Sequence, residues 1–188
     1  SRRVGHDAIS DVIRKTLLTY WNTISFHALY AKASNFTLDQ SPAVAERSTM
    51  DKWILSELNT LIVEVDKAYS EFDSQIAGKV LATFIDDLSN WYVRRSRRRF
   101  WDGDLAALAT LHECLETLTQ LLAPMIPFIA EQSWQELIRV ANPNAAISVH
   151  MTDFPVADTS LINADLNKQV AMTRRVVELG RSARAESG

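Results

Sequence analysis

The sequence predicts an all-α protein folded as an up-and-down helix bundle, and three observations lead to this fold class. Apolar residues recur every three or four positions in almost every long segment, which is the spacing of an amphipathic helix. The segments between these patterns are short, and short loops join antiparallel neighbours in helix bundles. The chain has 188 residues, 47% of them hydrophobic and 23% charged, which is the composition of a globular domain with its own core.

The first predicted helix covers about residues 7–31 and carries two apolar stripes. One stripe contains Ile9, Ile13, Leu17, Trp21, Ile24 and Ala28. The other stripe contains Leu18, Asn22, Phe26 and Leu29. A helix with two apolar faces is expected to lie between neighbours, so the amide of Asn22 would sit among apolar groups and need hydrogen-bond partners.

Capping residues predict where the second and third helices begin. Ser48 is followed three residues later by Asp51, as in a capping box, and a long apolar stripe comes after it. Asp73 or Ser74 can cap a third helix over about residues 75–100. Because few residues separate these two long helices, we expect them to be antiparallel neighbours.

Breaks in the second half of the chain predict two further helical segments. Residues 102–104, with the sequence Asp-Gly-Asp, interrupt the chain and cap a fourth helix that has a leucine stripe. Pro124 and Pro127 should kink this helix or start a new segment, which ends near Val140. Over residues 141–155 we expect turn residues around one short extended run.

The last predicted helix, over about residues 161–184, lies beyond the main bundle. We predict a bundle domain over residues 1–155, followed by residues 156–188 as a C-terminal helix that begins the next region. The chain starts without Met and stops within this predicted helix, so it looks like a piece of a longer protein.

Composition also restricts the functional classes. No apolar run is long enough to cross a bilayer and the N-terminus lacks a signal-peptide core, so a cytoplasmic location without membrane contact is predicted. Cys114 is the only cysteine, which excludes an internal disulfide and a cysteine-based zinc cluster. The histidines have no ligand-like spacing, so no metal site is predicted. The net charge of −3 gives no global attraction to nucleic acid, and any such attraction must be local.

One segment, NWYVRRSRRRFW at residues 90–101, carries five of the twenty basic side chains among aromatic residues. Extending the apolar stripe of the third helix at helical spacing brings up Trp91, Tyr92, Arg95 and Arg99. An arginine on a core stripe must meet a buried carboxylate or emerge where the bundle opens, because an unpaired buried charge costs several kcal/mol. Arg95 lies in the middle of the extended stripe, so its loss is expected to lower stability most.

The residues alone leave two interpretations of this segment open. It can be a solvated helix end, where cations interact favourably with the C-terminal dipole. It can also be a nucleic-acid groove, since guanidinium groups match phosphates and aromatic rings stack on unpaired bases.

Motifs along the whole chain favour the nucleic-acid interpretation. In order they are YWNTISFHALYA, DKWILSELN, DDLSNWYVRRSRRRFW, LAPMIPFIAEQSW, SVHMTDFP and VVELGRSAR. With this order and spacing, the chain resembles the anticodon-binding helical domain of class Ia aminoacyl-tRNA synthetases, and most closely that of isoleucyl-tRNA synthetases. Valyl and leucyl relatives share the WN pair and PMIPFIAE, so the equivalent domain of those synthetases is an alternative.

The resemblance implies RNA binding without catalysis by this chain. Enzymes of the family join isoleucine to tRNA(Ile) with ATP and magnesium, but the H-x-G-H and K-M-S-K-S signatures of their catalytic domain are missing from the sequence. No cofactor is therefore expected in this chain, and ATP and magnesium belong to the parent enzyme. The implied partners are the tRNA(Ile) anticodon stem-loop and the catalytic domain of the same parent chain, with the chain itself monomeric.

The resemblance also transfers candidate RNA-binding residues to the bundle end near the arginine-rich segment. These residues are Asn22, Trp91, Arg94, Arg95, Arg98 and Arg99. No catalytic residue is predicted. The competing hypothesis is a helical bundle that docks on proteins through its first and last helices, and dependence of RNA binding on the arginines separates the two.

Other charged and aromatic residues are expected to have structural or solvent-exposed positions. Asp86 and Asp87 should balance nearby arginines on the bundle surface. The tryptophans on core stripes, which should be buried, are Trp21, Trp53 and Trp134. The arginines expected to be solvated are Arg139, Arg174, Arg175 and Arg181.

Overall fold

The structure, a computed structural model, describes residues 5–187, and within this range the chain forms six long helices and no strand. The first helix, α1, is continuous over residues 6–33 and contains a π-helical turn at Ile13–Leu17. The others are α2 (Thr49–Ser70), α3 (74–101), α4 (Leu105–Leu122), α5 (127–141) and α6 (Ala164–Ser187). The predicted all-α bundle is therefore confirmed. None of the helices described here is long and apolar enough to cross a membrane.

Capping side chains start three helices where the sequence places them. Ser48 and Asp51 form a reciprocal capping box at α2, in which the Ser48 N–H donates to the Asp51 carboxylate over 3.1 Å. Asp73, rather than Ser74, caps α3 by accepting a hydrogen bond from a backbone N–H of the first turn. Asp104 caps α4 in the same way. These caps satisfy N–H groups that have no partner within their own helix.

α4 is the central helix, and α1, α2, α3 and α5 pack against it. Its buried residues lie on all sides, as expected for a helix enclosed by neighbours. They are Ala107, Leu108, Ala109, Thr110, Leu111, His112, Cys114, Leu115, Leu118, Thr119, Leu121 and Leu122. Trp53 on α2 and Trp134 on α5 complete this core, and their predicted burial is confirmed.

The predicted stripes of α1 describe its packing only in part. Tyr20, Thr23, Ile24 and His27 are its buried residues, so a single face packs into the core. Asn22 is exposed, and the expectation that its amide is held among apolar groups was wrong. Trp21 is only partly buried, which also differs from the expectation. The π-helical turn earlier in α1 alters the helical period, so the stripes drawn at a constant spacing do not stay on one face.

The Glu131 carboxylate on α5 holds the segment that follows this helix. Pro127 is the first residue of α5, so the prolines start a new helix, as predicted. Within residues 141–155 the chain forms a 3-10 turn at Val149–Met151 rather than pairing as a strand. Glu131 on α5 accepts from the Ser148 hydroxyl at 2.8 Å and from the Val149 N–H at 3.1 Å. This carboxylate anchors the turn to the bundle.

α6 packs along α2 through the first half of its length. Leu166 and Val170 contact the core, and two backbone N–H groups before the helix bind α2 side chains. The N–H of Asp158 donates to Asn59 at 2.8 Å, and the N–H of Asn163 donates to Ser56 at 2.7 Å. These contacts hold the start of α6 against the bundle. The division into residues 1–155 and 156–188 stays a prediction.

Candidate nucleic-acid interface

A groove with a volume of about 390 Å³ lies between α1 and α3. Its lining residues are Asn22, Thr23, Phe26, Ser89, Asn90, Val93, Arg94 and Arg97. Arg94 and Arg97 are exposed, and neither forms an ion pair with any residue that the structure describes. The groove therefore combines two unpaired cations, two amide side chains and an apolar floor.

A π-helical turn at Asp87–Val93 decides which α3 residues face this groove. The buried residues of this part of α3 are Leu88, Tyr92, Val93, Ser96 and Phe100, and all but Val93 follow at four-residue intervals. A π-helical turn has more residues per turn than an α-helix, so the buried positions move along the sequence relative to a constant period. Arg95 is exposed as a result, and the prediction that it continues the core stripe was wrong.

Arg99 is the arginine of this segment that faces the protein interior. Its guanidinium binds the fully buried carboxylate of Asp51 through two hydrogen bonds of 2.8 and 2.7 Å. Its Nε also donates to Asp104 at 2.8 Å. Arg99 thus joins the capping carboxylates of α2 and α4, and its side chain is only 26% exposed. The expected link between an arginine and stability belongs to Arg99 and not to Arg95.

The Asp51 carboxyl is kept ionised by its neighbours. Burial raises the pKa of Asp51, but hydrogen bonds from Arg99, Tyr92 and Ser48 more than offset this effect and lower the pKa below its ordinary value. The Tyr92 hydroxyl donates to Asp51 Oδ1 at 2.6 Å, the oxygen that also accepts from one Arg99 nitrogen. Hydrogen bonding to Asp51 in turn raises the pKa of Arg99. The pair therefore remains charged at neutral pH.

Trp91 lies on the side of α3 that faces α6, and two arginines cover its ring. The guanidinium carbon of Arg95 is 4.4 Å from the centre of the indole ring, and that of Arg174 on α6 is 5.4 Å away. Arg174 also binds Asp87 and lies 3.6 Å from Asp86. The predicted balance of Asp86 and Asp87 by arginine is confirmed, whereas the expected solvation of Arg174 was wrong because its side chain is only 22% exposed.

Two exposed side chains extend the positive surface toward the C-terminus of α3. The Arg98 side chain is 92% exposed and has only a long, 3.8 Å contact with Asp102. Trp101, the last residue of α3, is 67% exposed. Its indole N–H donates to the Tyr30 hydroxyl at 2.5 Å, which holds the ring against α1. An exposed ring fixed beside arginines is a suitable surface for stacking.

Comparison with known families decides the class of the domain. The family model described as "Anticodon-binding domain of tRNA ligase" matches residues 51–188. The chain belongs to this family. The predicted resemblance is thereby confirmed, and the all-α bundle is the architecture of an anticodon-binding domain in this chain.

The relatives of this anticodon-binding domain are isoleucine--tRNA ligases. The protein of that name from Streptomyces avermitilis is 56% identical over 189 residues, covering 100% of this chain and 18% of the relative. Those from Cutibacterium acnes and Thermus thermophilus are 48% and 40% identical, again over the whole chain and 19% and 18% of their lengths. The anticodon-binding domain therefore spans about a fifth of the length of these relatives.

The predicted RNA-binding residues of the anticodon-binding domain fall into four places. Asn22 and Arg94 line the groove, Trp91 and Arg95 lie toward α6, and Arg99 lies behind the surface. Arg98 is exposed in the last turn of α3. The structure therefore brings only part of the predicted set together.

Sequence reasoning left three residues of this surface out of the set. Asn90 and Arg97 line the groove with Arg94, and Trp101 lies about one helical turn beyond Arg97 on α3. Their spacing from Arg94 of four, three and seven residues places all of them on one helical face, and this signal could have found them.

The groove of the anticodon-binding domain has the chemistry of a nucleic-acid site. Guanidinium groups can form two hydrogen bonds to one phosphate, and amide side chains can pair with base edges. In the described part of the chain, no group of three or more His, Cys, Asp or Glu side chains is placed to hold a metal ion.

Proposed function

We propose that this chain binds the anticodon stem-loop of tRNA(Ile) as the anticodon-binding domain of an isoleucine--tRNA ligase. The observation that carries the proposal is the groove between α1 and α3, where Arg94 and Arg97 have no carboxylate partner among the described residues. The family match and the names of the relatives support RNA of this type as the ligand. The overall charge of −3 does not oppose binding because the cations are concentrated on one face.

Within this proposal, the groove side chains divide the work of binding. Arg94, Arg97 and Arg98 hold phosphates, because their guanidinium groups are exposed and weakly paired. Trp101 supplies an exposed ring for an unpaired base. Asn22 and Asn90 face the same groove and offer amide donors and acceptors to base edges.

We propose further that the remaining predicted residues act behind or beside the contact surface. Arg99 holds the ends of α2 and α4 in place and reaches RNA only through the surface that it supports. Trp91 and Arg95 form a stack with Arg174, which fixes α6 beside the groove. Arg95 keeps an exposed guanidinium and can still meet a phosphate at the edge of the site.

The chemistry of aminoacylation lies outside this chain in our proposal. ATP and magnesium would be held by the catalytic domain of the parent ligase, whose signatures this sequence does not contain. The chain would act as a monomer that orients tRNA for that domain. Residues 156–188 would begin the next region of the parent, with α6 held on α2 and leading the chain away from the bundle.

Binding of an isoleucine-type anticodon stem-loop across a salt series tests the proposal. The variant Arg94→Ala/Arg97→Ala/Arg98→Ala should bind about a hundredfold more weakly, if each phosphate contact contributes about 1 kcal/mol. For the parent, the logarithm of affinity should fall with the logarithm of salt at a slope of about −2, from about −0.7 per contact on a single strand. The triple variant should lose most of this slope.

A matched control removes the same charge elsewhere. Lys67, Lys79 and Lys168 are exposed and do not line the groove, so their combined replacement by Ala should leave the salt slope close to that of the parent. Equal losses in both triple variants would show that only net charge matters. Unchanged binding in the arginine variant would favour the hypothesis of a protein-docking bundle.

That second hypothesis has one observation in its favour. Met172, Val176 and Leu179 on α6 are 72%, 64% and 62% exposed and lie on one helical face. An exposed apolar stripe of this kind is a common protein contact surface. Stem-loop binding that is unchanged without Arg94 and Arg97, together with a protein contact that is lost without Met172 and Leu179, would place this hypothesis first.

A further inference from the structure

A second cavity, separate from the groove, opens between α1, the loop after it, α4 and α5. Its volume is about 640 Å³, which lies in the range of about 300–1,000 Å³ typical of small-molecule sites. His27, Phe36, His112, Leu137 and Val140 are among the residues that line it. Apolar side chains form most of this wall, and two buried histidines are among its polar groups, together with Lys32, Asn35, Thr37 and Glu136.

His27 presents an unused hydrogen-bond acceptor in this cavity. Its ring is 2% exposed, and burial lowers its pKa to about 3, so the imidazole is neutral at pH 7. Nε2 lies 3.1 Å from the carbonyl oxygen of Leu108, which can only accept, so the proton of His27 is on Nε2. Nδ1 is therefore an acceptor, and it is buried without a hydrogen-bond partner.

His112 adds a second unsatisfied imidazole beside the first. Its ring is 2% exposed, burial lowers its pKa to about 4, and the two ring centres are 5.3 Å apart. Nε2 lies 3.7 Å from the Glu116 carboxylate, which is beyond hydrogen-bond distance, and neither ring nitrogen has a partner. A neutral imidazole has one N–H donor and one acceptor, so the pair offers both kinds of group at one place.

Unpaired polar atoms in a buried position cost free energy, and native structures rarely leave three so close together. We propose that the cavity binds a neutral, mostly apolar small molecule that carries a hydroxyl group on an aromatic ring. The hydroxyl donates to Nδ1 of His27 and accepts from the N–H of His112, which two rings at this separation allow. The ring of the ligand lies against Phe36, Leu137 and Val140.

The lining of the cavity favours a neutral ligand over a charged one. Both imidazoles are neutral, and the two charged residues of the lining, Lys32 and Glu136, have opposite signs, so an ion placed beside the histidines would lose its water without gaining a net counter-charge. A hydroxyl group loses less on burial and regains hydrogen bonds to both rings. This site takes no part in the proposed RNA binding, so its failure and that of the RNA proposal are independent.

Phenol and toluene form a matched pair of probes, because they have the same shape and differ in the hydroxyl group. We expect phenol to bind the 188-residue chain with a dissociation constant in the millimolar range, as suits a ligand of this size. Toluene should bind about tenfold more weakly, since it leaves the imidazole nitrogens unpaired. Long-range ¹H–¹⁵N NMR spectra of the imidazoles should show saturable shifts at His27 and His112 with phenol only.

Variants at the cavity mouth locate the site without disturbing the core. Val140 is 75% exposed and lines the cavity, so Val140→Trp should block it and reduce phenol affinity at least tenfold. Val156 is 91% exposed and does not line the cavity, so Val156→Trp is the matched control and should bind as the parent does. Circular dichroism of both variants verifies their helix content.

Three results would overturn the proposal. The first is the absence of saturable imidazole shifts with millimolar phenol. The second is equal affinity for toluene and phenol, which would mean that the histidines do not recognise the hydroxyl. The third is unchanged phenol binding in folded Val140→Trp, which would place the probe elsewhere.

Discussion

Arginines on the inner and outer faces of residues 94–99 in α3 have opposite roles. On the inner face, Arg99 forms two hydrogen bonds to the buried carboxylate of Asp51 and one to Asp104. On the outer face, Arg94 and Arg97 border an open groove without a carboxylate partner among the described residues. The difference shows that neighbouring carboxylates decide whether an arginine supports the fold or remains available for a ligand.

The largest expected effect is on the inner face. Arg99→Ala leaves the Asp51 carboxylate buried with its cation removed, and breaking such a pair typically costs about 3–5 kcal/mol of unfolding free energy. The same change at an exposed arginine of the segment, Arg95→Ala, should cost at most about 1 kcal/mol, the loss of one exposed contact with Trp91. Urea unfolding followed by circular dichroism measures both. Equal losses in the two variants would remove the distinction between the faces.

The next effect concerns the two tryptophans of α3, of which Trp101 is exposed and Trp91 is covered by two arginines. Trp101→Ala should weaken stem-loop binding by about 1–3 kcal/mol, the usual contribution of a ring that stacks on one base. Trp91→Ala should weaken it less, because Arg95 and Arg174 already cover that ring. Neither change should alter the salt slope, since stacking releases few counterions. A larger loss for Trp91→Ala would place the base on the α6 side of the helix.

The stability deficit of Arg99→Ala should also depend on pH. In the parent, the lowered pKa of Asp51 contributes stability above the ordinary carboxyl pKa, and this stability is lost as the pH falls through the folded-state pKa. In Arg99→Ala, burial without the cation raises that pKa, so protonation of Asp51 in the folded state relieves part of the deficit. Each unit by which the pKa rises should recover about 1.4 kcal/mol on acidification.

Unfolding curves of the parent and Arg99→Ala at pH 7 and at pH 4 test this dependence. We expect the difference between the two proteins to shrink at the lower pH. The control compares Asp51→Asn with Asp51→Asn/Arg99→Ala, because neither of these proteins has the Asp51 carboxyl and the difference between them should depend much less on pH. A difference that grows on acidification would show that Asp51 is not the group left without a partner.

Much of the fold follows from local signals in the sequence. The capping box of Ser48 and Asp51, the caps at Asp73 and Asp104, and the break before Pro127 all appear where the residues predict them. These features depend on a few neighbouring residues and on the hydrogen-bonding needs of helix ends, which are the same in every fold. The helical period likewise identifies the leucine face of α4 without any tertiary information.

The arrangement of the candidate site was less predictable. Arg95 and Asn22 were assigned to buried faces by a constant helical period, but π-helical turns in α1 and α3 change that period and leave both residues exposed. A π-helical turn depends on how the surrounding helices pack, and this sequence gives no local sign of it.

The sequence by itself determined the helical class, the helix starts, the family, and the presence of an arginine-rich segment at one end of α3. Only the tertiary structure decided which arginine has a partner, because Asp51 is 48 residues away from Arg99 in the chain and meets it only when α2 packs against α3. The tertiary structure likewise decided that His27 and His112, which are 85 residues apart in the chain, lie side by side with unpaired nitrogens. Local patterns depend on neighbouring residues, whereas pairing and burial of charge depend on contacts between distant segments, and these form only on folding.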